Sequence, residues 1–212
     1  MKQDRWLQRG AARLRRAGWW VGWGPVAVAL SLAVLLSAGT RAAAPVQGWY
    51  IDEAHTSIDF KIDAVGFPTT RGHFNRYSGR ILIDFAHPAR SFTNFTVDSG
   101  SVDVGSQSFN DFVRSAALLD VAEFPTLSFQ STQVDKLDPR TARVSGNLTM
   151  RGVSRPIALK VDVEADPAAS GRAVAFLATG AISRSNFGMN FGIPLIDDTL
   201  EMTVRTRALS DE

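Results

Sequence analysis

From Ile58 to Thr206 the chain alternates apolar and polar residues with a period of two, and it breaks that rhythm in one place. Ile58, Phe60, Ile62 and Ala64 alternate with Ser57, Asp59, Lys61 and Asp63. Ile81, Ile83 and Phe85 form one face of the next run, followed by Phe95 and Val97. The rhythm returns at Leu127 and Phe129, at Val144, Gly146, Leu148 and Met150, and at Ile157, Leu159, Val161 and Val163. Val174, Phe176 and Ala178 precede a last run of Leu200, Met202, Val204 and Thr206. Successive side chains of a strand point to opposite faces, so each run predicts a half-buried strand. Gly66-Phe67-Pro68, Ser78-Gly79, His87-Pro88, Asp138-Pro139, Arg151-Gly152 and Ser170-Gly171 supply turns between them. About eight strands with short connections predict an antiparallel sheet with one wet and one apolar face. Closing it into a barrel removes the edges and encloses the apolar side chains.

The break falls at Phe109, Phe112, Val113, Ala116 and Leu119, which share one face at helical spacing. Ser108 with Asp111 reads as a capping box. The expectation is one short helix from about Phe109 to Leu119, lying on an all-β barrel.

Charge separates the first segment from the rest. The chain has 23 Lys and Arg against 21 Asp and Glu, but residues 1–42 hold seven of the basic groups and one acid. The remainder is therefore net acidic, which removes the nucleic-acid reading that a basic chain invites. Basic residues, an uncharged run from Ala17 to Thr40 and the small residues at Thr40-Arg41-Ala42 read as a secretory signal peptide cut after about Ala42. An uncleaved anchor is the other reading of 1–42, because an uncharged stretch of this length can span a bilayer. Both readings export residues 43–212 as one domain, with the periplasm as the expected compartment. The chain has no cysteine, so core burial must hold that domain without disulfides.

Little in the domain suggests catalysis. His55, His73 and His87 lack the spacing of a metal site. Nucleophile-elbow, dinucleotide and P-loop patterns are absent. Asp197-Asp198 reads as a solvated pair. No catalytic residue, metal or cofactor is nominated. All 13 Phe lie beyond residue 59. A Phe-rich interior can be a packed core or the wall of an apolar pocket, and composition alone leaves both open.

Ordered motifs sharpen this. Trp49-Tyr50-Ile51-Asp52 precedes His55-Thr56-Ser57-Ile58 and Phe60; Arg71-Gly72-His73-Phe74 and Gly79-Arg80-Ile81 follow. Next come Arg114-Ser115, Phe124-Pro125-Thr126-Leu127-Ser128-Phe129, Gly146-Asn147-Leu148-Thr149-Met150-Arg151-Gly152-Val153 and Ser183-Arg184-Ser185-Asn186-Phe187-Gly188. In this order, from about Trp49 to Arg207, they resemble the YceI-like family of periplasmic polyisoprenoid-binding proteins.

The resemblance implies an extended eight-stranded, lipocalin-like antiparallel barrel around a pocket for a long isoprenoid or similar lipid. It implies binding or carriage rather than catalysis. Dimers occur in the family, so a homodimer is open, as is transient membrane contact. Family members often carry a histidine where this chain has Ala64 or Val65, and another where it has Phe112. The pocket is therefore expected to be more apolar at those points. Candidate wall residues are Phe60, Ile62, Phe74, Ile83, Phe129, Leu148, Phe176 and Val204, with Phe109 and Phe112 from the helix. Phe187 and Phe191 join them from Asn186–Pro194, which reads as a mobile lip. Arg184 is the candidate for a polar head group, with a buried role capping strand carbonyls as the alternative. An enzyme acting on an isoprenoid and a ligand-free barrel that binds a protein partner are the competing functions.

Overall fold

The computed structural model describes residues 47–164 and 173–210, and residues 1–42 lie outside that range. Among these described residues ten strands form one antiparallel sheet. They are β1 (Gln47–Ala64), β2 (Phe67–Phe74), β3 (Tyr77–Ile83), β4 (Phe92–Asp98), β5 (Val102–Asp103), β6 (Thr126–Lys136), β7 (Thr141–Met150), β8 (Val153–Val163), β9 (Ala173–Ser183) and β10 (Thr199–Ser210). Eight of them, in the order β1-β3-β4-β6-β7-β8-β9-β10, close when β10 pairs back onto β1. The other two extend the sheet beyond the closed ring. β2 doubles back along the second half of β1, and β5 adds a two-residue rung at His73 and Phe74.

Closure depends on an irregularity in β1. Trp49 pairs with Ser210 and Ile51 with Ala208, while Ile58 pairs with Val204 and Phe60 with Met202. Inward residues are odd-numbered before the irregularity and even-numbered after it. Between Asp52 and Ser57 the strand advances five residues while β10 steps back two, from Arg207 to Arg205. Three extra residues shift the parity, so both halves of β1 face inward. The bulge is pinned from inside by Thr56, whose hydroxyl lies 2.8 Å from that of Thr206 and whose carbonyl accepts from the Tyr77 hydroxyl.

Two glycines are set by geometry. Arg151 and Gly152 both take positive φ, 50° and 70°, as the tight turn between Met150 and Val153 requires. Gly146 sits where a Cβ would lie 2.4 Å from the Gln130 carbonyl and 2.6 Å from the Phe129 ring.

The helix α1 (Gln107–Arg114) starts and stops earlier than its apolar stripe suggests. Ser106, not Ser108, is the N-cap: its hydroxyl accepts from the Phe109 N–H, and its carbonyl takes the Asn110 N–H at 2.8 Å. At the other end the Ser115 hydroxyl and N–H both take the Phe112 carbonyl, which stops propagation. Leu119 still reaches the core, through the turns that follow.

One end of the barrel carries the helix, the β7–β8 turn and the 184–198 loop. Phe187, Met189, Leu119, Val102 and Met150 pack there, each no more than 6% exposed. The opposite end carries the β3–β4 and β6–β7 connections. Replacing Gly146 with alanine should lower stability by about 1–3 kcal/mol through overpacking. Denaturant unfolding checks this; an unchanged midpoint would show that β6 and β7 do not meet as closely as described.

Candidate functional site

Inward alternation on eight strands leaves a space along the barrel axis. It is a cavity of about 510 Å³, reaching from the β3–β4 and β6–β7 connections down to Ile58, Leu148, Ile157 and Met202. Its wall is aliphatic and aromatic. Ile83, Phe129, Leu148, Phe176 and Val204, all candidates from the sequence, lie on it. Below it the core of Phe187, Met189 and Leu119 fills the other end, so the cavity is blind.

The remaining candidates lie elsewhere. The rings of Phe60 and Phe74 stand 5.7 Å apart and pack against the core at the closed end, and Ile62 follows on β1, half-buried. Phe187 is 1% exposed within that same core. Phe109 stacks on Phe112 at 6.3 Å, and Phe112 meets Phe191 edge-on at 5.0 Å. These three form an outer cluster, with Phe109 and Phe191 substantially exposed. None of these residues is on the cavity wall. Ala64, Val65 and Phe112, the positions where the resemblance implied histidine, are likewise away from it.

The expected lip is at the wrong end to serve as one. Residues 186–194 belong to the closed end, and Arg184 holds them. Its guanidinium donates to the carbonyls of Asp197 (3.0 Å), Met189 (3.2 Å), Phe191 (3.3 Å) and Ile196 (3.3 Å). Burial pulls the pKa of this group down, with the charges of Asp198 and Asp197 opposing. Arg184 therefore organises a loop and does not face the cavity. Asp198 completes the latch, accepting from the Ser185 N–H at 2.7 Å and from its hydroxyl at 2.8 Å. The first of those bonds is the main reason its carboxyl lies below the usual range.

The polar residues on the cavity wall are Asp84, Ser91, Thr93, Lys136, Asp138, Arg140, Thr141 and Thr206, and the charged ones stand at its mouth. Asp84 is the buried charged one, with its side chain 4% exposed. Its Oδ1 accepts from the His87 N–H at 2.8 Å, and its own N–H donates to Ser91 Oγ at 3.0 Å. Its Oδ2 lies 3.2 Å from Arg90 Nη1 and 3.4 Å from His87 Nδ1. Neither contact has hydrogen-bond alignment, and this oxygen is a buried acceptor without a hydrogen bond. Burial works to raise the Asp84 carboxyl. The His87 amide, the charges of His87 and Arg90, and the His87 imidazole beside the carboxylate outweigh it and hold the group below its usual value. A second orphaned polar atom, the Trp49 indole N–H, packs with Ile83 and Phe176 of the wall. Among the described residues no three His, Asp or Glu side chains gather as a metal site.

A family model described as a YceI-like domain matches residues 49–208. The chain belongs to the YceI-like family. A UPF0312 protein of Shewanella baltica is 31% identical over 168 residues, covering 76% of this chain and 88% of that protein. A UPF0312 protein of an Enterobacter species is 31% identical over 137 residues, covering 64% and 71%. Among solved structures, Burkholderia cenocepacia BcnA aligns with a TM-score of 0.68 at 23% identity, covering 74% of this chain and 98% of that one. A polyisoprenoid binding domain from Saccharophagus degradans aligns at 0.60 and 15% identity, covering 78% and 99%. These neighbours share the fold, and membership in the YceI-like family supports a binding-protein role.

Sequence reasoning missed Asp84 in this YceI-like chain. The available signal was Asp84-x-x-His87-x-x-Arg90, a carboxylate followed at intervals of three by two basic residues. Period two places Asp84 on the outer face, beside inward Ile83. The strand instead ends at Ile83, and the turn toward His87 folds the carboxylate over the mouth.

The lowered carboxyls give the fold a directed pH dependence. Asp84, Asp98 and Asp198 all lie below 3.8 in the folded chain. Their contribution is fully present above the unfolded value and is lost as pH falls through the folded values. The melting temperature should therefore hold from neutrality down to about pH 4 and decline below it. Asp198→Asn should flatten part of that decline in a thermal series; an unchanged acid limb would dissociate the latch from acid stability.

Proposed function

We propose that residues 43–212 form a periplasmic binding protein that carries a single long-chain isoprenoid or similar lipid in the barrel. The blind apolar cavity carries this reading. Each methylene moved from water into such a wall contributes ~0.8 kcal/mol. Association costs about 4–15 kcal/mol, so a ligand needs many carbons before binding is favourable. The cavity has room for them. An apolar cavity of about 150 Å³ accepts the six carbons of benzene. By that scale, 510 Å³ suits roughly 20 carbons. The leader-like composition of residues 1–42 supports export, and the family supports binding.

A reaction on the lipid has less support. Apart from the hydroxyls of Thr93 and Thr206 the wall below the mouth is apolar, and the charged residues stand at the mouth, around the end of a bound chain. A partner-binding barrel has no need of an axial space of this size.

Solvent extraction of freshly purified protein, followed by mass spectrometry, should recover one long-chain species near stoichiometry. For added prenyl or acyl chains, affinity should climb with length to roughly 20 carbons and then level off. Leu148→Trp should weaken binding tenfold or more (about 1.4 kcal/mol) while the barrel still folds by circular dichroism. Protein that is empty from its native source and indifferent to chain length would contradict the proposal.

A further inference from the structure

A chain that fills the barrel ends at its mouth, so the side chains of that rim meet its head group. Lys136 is the last residue of β6 and pairs with Ala142 of β7, next on the same face to the Val134–Val144 pair. Paired residues share a face, and Val134, Ala142 and Val144 all line the cavity. Lys136 therefore continues the inward face past the end of the apolar wall. Arg140 stands two residues before Ala142, in the β6–β7 turn, and it too is on the wall. Both cations are exposed, and among the described residues neither side chain makes a hydrogen bond or an ion pair.

The carboxylates around them are committed elsewhere. Asp138 accepts from the Arg140 N–H at 2.9 Å, within the turn. Asp162 accepts from the Thr141 hydroxyl at 2.7 Å and from Lys160 Nζ at 2.9 Å. Asp84 is buried against Arg90 and His87. Glu164, the residue after β8, is not on the wall. The β6–β7 turn is thus left with two cations whose donors are unused, at the edge of an apolar interior.

This arrangement sorts head groups by charge. An ionised head cannot follow its tail into a dry apolar wall except at large cost, so it stays at the mouth. There the Lys136 ammonium and the Arg140 guanidinium offer charge-assisted hydrogen bonds. A phosphate monoester carries about −1.5 to −2 charges near neutral pH and three acceptor oxygens, enough to engage both cations. A carboxylate brings a single charge, and a hydroxyl brings none.

Resting on the proposed lipid-binding function, we infer that Lys136 and Arg140 form a head-group site for an anionic lipid, with a phosphate monoester preferred to a carboxylate. The barrel holds the tail, and the β6–β7 turn holds the head. Both contacts are exposed, so each contributes up to about fivefold in affinity. Salt weakens them by screening.

Calorimetric titration of the purified protein with three 20-carbon probes tests this: a prenyl monophosphate, the corresponding carboxylic acid and the corresponding alcohol. At low salt the monophosphate should bind about tenfold more tightly than the alcohol, with the acid between them. Raising salt to about 0.5 M should erase most of that difference. Lys136→Gln and Arg140→Gln should each remove part of the preference, and the double variant should bring the monophosphate-to-alcohol ratio to about one. The ratio is read within each variant, so a general loss of binding does not mimic the effect. Arg143 is an exposed cation on the same hairpin, paired with Asp135 on the opposite face, and Arg143→Gln should leave the ratio intact. Alcohol binding that equals or exceeds monophosphate binding, tighter binding of the acid than of the monophosphate, a preference that survives the double substitution, or an equal loss in Arg143→Gln would overturn the inference. Alcohol binding in any of those cases leaves the apolar-pocket proposal intact. Failure of all three probes to bind would overturn both.

Discussion

The ladder between β1 and β10 is the constraint on which the rest depends. It makes the first and last strands neighbours, turning a sheet with two open edges into a closed wall. It also requires β1 to keep one face inward from Trp49 to Lys61, across an irregularity. The extra residues between Asp52 and Ser57 solve this by shifting parity once. Trp49 and Ile51 then serve one end of the interior, and Ile58 and Phe60 the other. With no cysteine in the chain, this closure and the burial it creates carry the fold.

Closure divides the interior by function. At the helix end, Phe187, Met189 and Leu119 fill the barrel, and Arg184 ties the 184–198 loop through four backbone carbonyls. At the other end the inward side chains are large enough to line the space but do not fill it. The same apolar alternation thus makes a packed core in one half and a cavity in the other. Among the described residues, a helix and a latched loop cover the closed end, and the β3–β4 and β6–β7 connections stand at the other.

The antiparallel strands and the closed barrel were legible in the sequence, because period-two alternation reports directly which side chains are buried. The alternation of β3, β7, β9, β10 and the first half of β6 placed Ile83, Phe129, Leu148, Phe176 and Val204 on apolar faces, and the structure has them on the cavity wall; Val134, past the register shift between Ser131 and Gln133, was not readable. Depth along the axis was not legible. Phe60 and Val204 have the same parity, yet one packs against the core at the closed end and the other lines the cavity. The helix phenylalanines were misplaced for a related reason: an apolar stripe shows that a face is covered, not by what. Phe112 is covered by Phe191 from a loop some eighty residues later. The burial of Asp84 was not legible because it is set in the turn where the strand pattern stops.

The central claim is that a single apolar chain lies along the barrel axis, with its tail toward Ile58 and Met202 and its head at the mouth. A crystal structure of the exported domain with a 20-carbon chain brominated at its far end tests this most directly. The anomalous signal of the bromine should fall beside Ile58, Leu148 and Met202, deep in the barrel. Bromine in the outer cluster of Phe109, Phe112 and Phe191, or at the mouth beside Arg140, would contradict it.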